Sequence, residues 1–343
     1  MSNIEWTEAT WNPIVGCSIT SPGCTNCYAM KMAGRIERMG TAPHYDGTTR
    51  ASKAGSVWTG KMALAPEHVL LAPLRRRKPT TWFVNSMGDL FHEDVPVEWI
   101  DRVFGVMALT PQHTYQVLTK RAARMRAYVS DSATPGRIAR AILDLLIADS
   151  LPKPAGQYDP WPVESIGDDI DMPDDVTLRA WPLPNVWLGV SAEDQDRADE
   201  RVPELLATPA AVRFVSAEPL LGPIDFGRIP SPVVTPEDEG YYHSALDGGD
   251  IHYRDGEPDI LTGRIIIDAV DGPMMEKLDW IIVGGESGAG ARHMDDARAE
   301  SIVEQCAAAG TAVFVKQMGG PVKARMRPIP AHLMVRQFPE VRR

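Results

Sequence analysis

A chain of 343 residues with 44% hydrophobic and 24% charged residues has the composition of a globular protein, which excludes the fibrous and disordered classes and allows about two domains or one large barrel. The net charge of −11 opposes broad adhesion to nucleic acid or to an anionic membrane, because the summed field repels phosphate. No run approaches the roughly 18 apolar residues of a membrane span, and the start, Met1-Ser-Asn-Ile-Glu-Trp6, lacks a basic segment and an apolar run, so a cytoplasmic location without membrane partners is expected.

In chain order, a first strand is expected around Trp11 to Gly16. It runs into Cys17-Ser-Ile-Thr-Ser-Pro-Gly-Cys24-Thr-Asn-Cys27, followed at once by Tyr28, while the only other cysteine of the chain is Cys306. Thiolates ligate iron–sulfur clusters and zinc, and close spacing lets one loop fold around one ion or cluster. A structural zinc site takes four protein ligands, yet the nearest histidine, His44, lies 17 residues beyond Cys27 with no His-x3-His partner. Three ligands suit a [4Fe-4S] cluster with one iron left open; zinc completed by His44 or His92 is the alternative. Trp6, Trp11 and Tyr28 flank the loop and would shield a cluster from solvent.

Further strands are expected at Thr81–Ser86, Tyr115–Lys120, Val186–Ser191, Val212–Glu218, Trp280–Glu286 and Ala312–Gln317, each a short β-branched or aromatic run ending in polar residues or glycine. Amphipathic helices fall between them: Ala198, Val202, Leu205 and Leu206 follow the i, i+4, i+7, i+8 rule, and 95–109 and 295–309 are similar. Strands alternating with helices imply an α/β fold with a parallel sheet, a partial or complete (βα) barrel. Two Pro-, Gly- and Asp-rich stretches, about 151–185 and 228–275, read as loop insertions. The basic runs Arg75-Arg76-Arg77-Lys78 and Lys120, Arg121, Arg124, Arg126 read as solvated faces or as a local basic groove.

Such sheets carry their chemistry at the carboxyl ends of the strands, where Ser191, Glu193, Ser216, Glu218, Gly284, Gly285, Glu286 and Lys316 fall. Each Ser or acid there either caps a loop or binds a ligand. Lys316 would meet a phosphate or carboxylate of substrate, or pair with Glu286 or Glu218. Asp89 and His92, in one loop, are an acid–base pair or turn caps.

The three-cysteine loop after a first strand, followed by βα units, resembles the radical S-adenosylmethionine superfamily. More closely, the blocks Thr10-Trp-Asn-Pro-Ile-Val-Gly-Cys17, Ser21-Pro-Gly-Cys24-Thr-Asn-Cys27-Tyr28-Ala, Asn85-Ser-Met-Gly-Asp89-Leu-Phe-His92, Val190-Ser-Ala-Glu193, Ser216-Ala-Glu-Pro-Leu220, Val283-Gly-Gly-Glu-Ser287-Gly and Val315-Lys-Gln317 resemble a phage-associated and bacterial radical-SAM-like family of unknown function. The resemblance implies one radical-SAM-type barrel domain over 1–343, with Cys17, Cys24 and Cys27 on a [4Fe-4S] cluster. It further implies S-adenosyl-L-methionine as cofactor, contacted from among Asn85, Ser86, Ser191, Glu193, Ser216, Glu218, Gly284, Gly285 and Glu286. Asp89 and Lys316 become the catalytic candidates. A flavodoxin or ferredoxin would donate electrons, and the substrate, otherwise unknown, would be a nucleic acid or nucleotide. Two departures stand out. The superfamily's C-x3-C-x2-C is here C-x6-C-x2-C with the aromatic residue after the third cysteine, and Gly284-Gly285-Glu286 falls on about the sixth strand where the superfamily places it on the second. A noncatalytic zinc- or cluster-binding interaction protein, and an iron–sulfur hydrolase or lyase without radical chemistry, are the rival readings.

Overall fold

Seven strands form one sheet: β1 (Ala9–Trp11), β2 (Thr81–Val84), β3 (Thr114–Thr119), β4 (Val186–Ser191), β5 (Val212–Ala217), β6 (Trp280–Gly284) and β7 (Ala312–Gln317). They are hydrogen-bonded in that same order, with β1, β2 and β3 paired parallel and β5, β6 and β7 likewise. An order that follows the sequence without reversal has no switch point, which is the order of a (βα) barrel rather than of a doubly wound sheet. The structure is a computed structural model and describes residues 4–53, 55–148, 161–165, 176–230, 241–247, 250–252, 276–322 and 325–340.

Six of the expected strands stand where the apolar runs place them, within two residues at their ends. β4 and β5 are buried along their whole length, as strands of a parallel sheet covered on both faces must be. The first strand differs from expectation. Only Ala9–Trp11 joins the main sheet, and Ile14–Val15 pairs antiparallel with Ala63–Leu64 instead. Pro13 has no N–H to give the ladder, so the strand ends before it.

By contacts the chain divides into two compact units, Met1–Leu188 with Pro209–Ala211, and Gly189–Thr208 with Val212–Arg343. In the first, α1 (Tyr28–Met39) lies against a hairpin of Thr49–Ser52 and Gly55–Trp58. There too α2 (Val97–Ala108), α3 (Ala122–Ser130) and α4 (Thr134–Ile147) follow the strands, with α2 packed on α4. In the second, α5 (Gln195–Leu206) starts where the Asp194 carboxylate accepts the Arg197 N–H at 3.0 Å, a cap that satisfies one orphan donor of the first turn. It buries Ala198, Val202, Leu205 and Leu206, as their spacing predicts. The last helix, α6 (Asp296–Ala309), buries Cys306.

Most of 151–185 and 228–275 lies outside the described residues. Within them, Val163–Ser165 pairs antiparallel with Val176–Leu178, and Ile229–Pro230, Tyr241–His243 and Asp250–His252 form an antiparallel ribbon. Among the described residues no helix is long and apolar enough to cross a membrane.

Candidate metal centre and strand-end residues

In the first unit the chain leaving β1 is pinned to the chain leaving β2. Gly16 and Gly88 form a parallel bridge, and the Gly16 N–H donates to Met87 O at 3.2 Å. The approach leaves no room for a side chain: Gly16 has φ +100°, and a Cβ there would stand 2.1 Å from Lys61 O. Asn85, itself at φ +56°, donates its N–H to Trp11 O at 2.8 Å. Oriented so that both ends are satisfied, its amide donates to Ile14 O at 3.2 Å and accepts from the Leu90 N–H at 3.3 Å. Ser86 Oγ and the Met87 N–H both donate to Asn12 Oδ1, at 3.0 and 2.9 Å, and the Tyr28 hydroxyl donates to Ser86 O at 2.9 Å. Asn85 and Ser86 thus tie β1, β2 and the start of α1 together around the cysteine loop.

All three cysteines of the loop are free thiols. Cys24 closes a short 3-10 turn, Pro22–Cys24, and Cys27 stands at the N-cap of α1. Cys17 and Cys27 pack against one cluster with Val15, Met30, Tyr45 and Trp58. Burial, the Asp89 carboxylate and the neighbouring cysteines push the Cys17 thiol up to about 12, against the pull of Arg121. Burial also pushes Cys27 up. Cys24 goes the other way: burial raises it, but the Lys120 ammonium and hydrogen bonds from Thr20 and Ser21 outweigh burial and leave the thiol below its ordinary value. The thiols are near enough to feel one another's charge. Among the described residues, no three His, Cys, Asp or Glu side chains converge closely enough to hold a metal ion.

The carboxyl end of β3 supplies the cations. Arg121 is buried, with its side chain 5% exposed. Its Nη1 donates to Asp89 Oδ2 at 3.0 Å and to Cys17 Sγ at 3.6 Å, its Nη2 to Ser18 Oγ at 2.6 Å, and its Nε to the Glu93 carboxylate at 3.3 Å. Asp89 accepts from the Phe91 N–H (3.1 Å), Thr119 Oγ1 (2.6 Å), the Lys120 N–H (3.1 Å) and Arg121. The His92 ring accepts the Asp94 N–H on Nδ1 at 3.1 Å, which leaves Nε2 as the N–H of the neutral ring, 2.8 Å from Ser18 Oγ. Burial first, and Arg121 second, hold that imidazole below its ordinary pKa.

In the second unit the polar strand ends pair among themselves. Glu193, fully buried, accepts from Arg201 Nη1 at 3.1 Å, and the same nitrogen donates to Ser191 O at 2.8 Å. Lys316 Nζ lies 3.0 Å from Glu218 Oε1, one of the two partners its sequence position suggests, and Ser216 Oγ donates to Glu218 Oε2 at 3.4 Å. Gly284 is required there, because a Cβ would stand 2.2 Å from Glu218 Oε1. Glu286 is held by Arg292, whose backbone N–H and Nε both reach Oε2, at 2.8 and 3.0 Å, while Nη2 reaches Oε1 at 2.6 Å. Gln317 Nε2 donates to Gly285 O at 2.7 Å.

The model of one family, described as a protein of unknown function (DUF5131), matches residues 1–339. The chain belongs to the DUF5131 family. No curated protein and no solved structure matches it.

In this DUF5131 chain the residues that sequence reasoning passes over are arginines. Arg121 sits in a run that reads as a solvated face, yet it is buried among Cys17, Ser18, Asp89 and Glu93. Arg201 and Arg292 neutralise Glu193 and Glu286. A signal for Arg121 existed: it follows Thr119 and Lys120 at a strand's carboxyl end, the rule that singles out Glu218 and Lys316.

Proposed function

We propose that this protein is a radical-S-adenosylmethionine-type iron–sulfur enzyme whose cluster is held by Cys17, Cys24 and Cys27. The observation that carries the reading is the joining of three free cysteines on one short loop with two cations, Lys120 and Arg121, that act on two of them. Thiolates are soft ligands suited to iron–sulfur chemistry, and a flanking cation offsets the charge they acquire on ligation. Zinc bound by thiolates at about 2.3 Å needs its sulfurs nearly touching, whereas a four-iron cluster is wider and accepts thiols set further apart. When bound, the cluster supplies one-electron reductive cleavage of S-adenosylmethionine, giving methionine and a 5′-deoxyadenosyl radical that takes a hydrogen atom from substrate.

The residues of the chain have separate tasks in this reading. Asn12, Asn85 and Ser86 fix the loop by their hydrogen bonds. Trp11, 2% exposed, and Trp58, 6% exposed, keep apolar surface under it. In the second unit, the half-buried Lys316–Glu218 pair beside Gly284 offers an ammonium and a carboxylate to a polar ligand. A nucleic acid or nucleotide is the substrate class we favour, supported by the exposed run Arg75-Arg76-Arg77-Lys78. Retardation of nucleic acid that weakens steeply with salt is the expected sign.

Anaerobic reconstitution with iron and sulfide should give a brown wild-type protein that yields 5′-deoxyadenosine and methionine under a strong reductant, and C17A, C24A and C27A should each lose both properties. Folded wild-type protein without cluster and without cleavage would reject the reading. One zinc per chain after anaerobic purification, with no iron, would favour the interaction protein instead.

A further inference from the structure

We propose that Arg121 sets the reduction potential of the cysteine centre, acting through a hydrogen bond from its Nη1 to Cys17 Sγ. The inference rests on the cluster reading above and assigns to that centre a residue outside the ligand set.

The geometry is that of a fixed donor. Every nitrogen of the guanidinium is engaged: Nε with Glu93, Nη1 with Asp89 and Cys17 Sγ, Nη2 with Ser18 Oγ. Arg121 therefore has no freedom to swing away from the sulfur. Asp89 is in turn held by Thr119 Oγ1 and by the Phe91 and Lys120 N–H groups, so the cation is anchored to backbone at the ends of β2 and β3. A planar guanidinium can serve all these acceptors at once; an ammonium cannot. With its side chain 5% exposed, the charge is poorly screened by water.

A hydrogen bond to a ligand sulfur withdraws electron density from the centre and favours its more reduced, more negative state. Hydrogen bonds to sulfur and burial are among the protein's levers on cluster potential. The cation also offsets Asp89 and Glu93. Without it their two negative charges would bear on the centre and oppose reduction. Arg121 accordingly makes the centre easier to reduce.

A purely structural role for Arg121 would alter stability and leave the potential alone, so the potential is the measurement that decides. Potentiometric titration followed by electron paramagnetic resonance is to be run on reconstituted wild type, R121K, R121Q and K78Q, the last a loss of one positive charge at an exposed site. R121Q should fall by at least tenfold in its reduction equilibrium, about 59 mV for one electron. R121K should shift the same way by less, and K78Q should match wild type. Equal potentials in wild type, R121K and R121Q, or a K78Q shift as large as that of R121Q, would overturn the inference while leaving the cluster in place. If R121Q does not retain its cluster, R121K decides alone, and a wild-type potential in that variant overturns it. Wild-type protein that takes up neither iron nor sulfide overturns the cluster reading itself, a distinct outcome read from metal and sulfide content before any titration.

Discussion

Asp89 and Gly284 show how single residues hold the polar strand ends in place. Asp89 and Arg121 form a pair with side chains 7% and 5% exposed, and breaking a buried pair from one side leaves an uncompensated charge. D89N keeps the shape but abandons the guanidinium, and it turns an NH2 toward donors that need an acceptor. The expected loss is about 3 kcal/mol, read as a lower denaturant midpoint with an unchanged slope; an unchanged midpoint would show that the pair contributes nothing net. At Gly284 the argument is steric. A methyl group would overlap Glu218 Oε1, so G284A must turn that carboxylate away from Lys316. We expect a loss of about 1–3 kcal/mol from overpacking, and a much smaller one when G284A is made in an E218A background, because the clashing group is then gone. Equal losses in both backgrounds would place the strain elsewhere.

At the scale of elements, α1 gives the sharpest test because two effects of opposite sign meet at Gly34. Alanine is the better helix former by about 1 kcal/mol. Yet a Cβ at Gly34 would stand 1.9 Å from Ser56 Oγ and 2.4 Å from Ser56 Cβ, and the second of these cannot rotate away. G34A should therefore destabilise by forcing α1 off the hairpin of Thr49–Ser52 and Gly55–Trp58, and S56G should restore part of the loss; thermal melts of the two single variants and the double variant decide it. The same element shows what was legible in the sequence. The six later strands and the burial of Ala198, Val202, Leu205 and Leu206 could be read directly, since a buried parallel strand and an amphipathic helix each write their period into the chain. The pairing of α1 with a hairpin could not, because a glycine at a close contact looks like any other glycine. The cysteine loop announced itself by spacing. Its surroundings did not: the contacts from Arg121 to Cys17 and Ser18 span more than 100 residues of sequence, and no local pattern encodes them. Nor did periodicity show that the first strand stops at Trp11, although Pro13 held that information.

For the whole molecule, the acidic composition hides groups that make folding sensitive to mild acid. Burial pushes the imidazoles of His44 and His113 below their ordinary value of 6.5. His113 is 1% exposed, with Nε2 3.1 Å from Pro73 O. The folded state holds these rings neutral, while the unfolded chain binds protons near 6.5. Between the folded and unfolded values the unfolded state thus carries more protons, so stability rises with pH there. The contribution is complete above the unfolded value and drains away as the pH falls below it. Burial raises the carboxyl groups of Asp101, Asp199 and Asp279 above their ordinary 3.8. Their effect has the opposite sign, since protonation relieves the burial of charge, and it belongs to more acidic solution. Melting temperatures should therefore fall from pH 7.5 to pH 5.5. H113Q, which keeps an N–H donor for Pro73 O without a titrating group, should lessen that fall even if it lowers the melting temperature at both values. A fall of equal size in H113Q and wild type would remove His113 from the account.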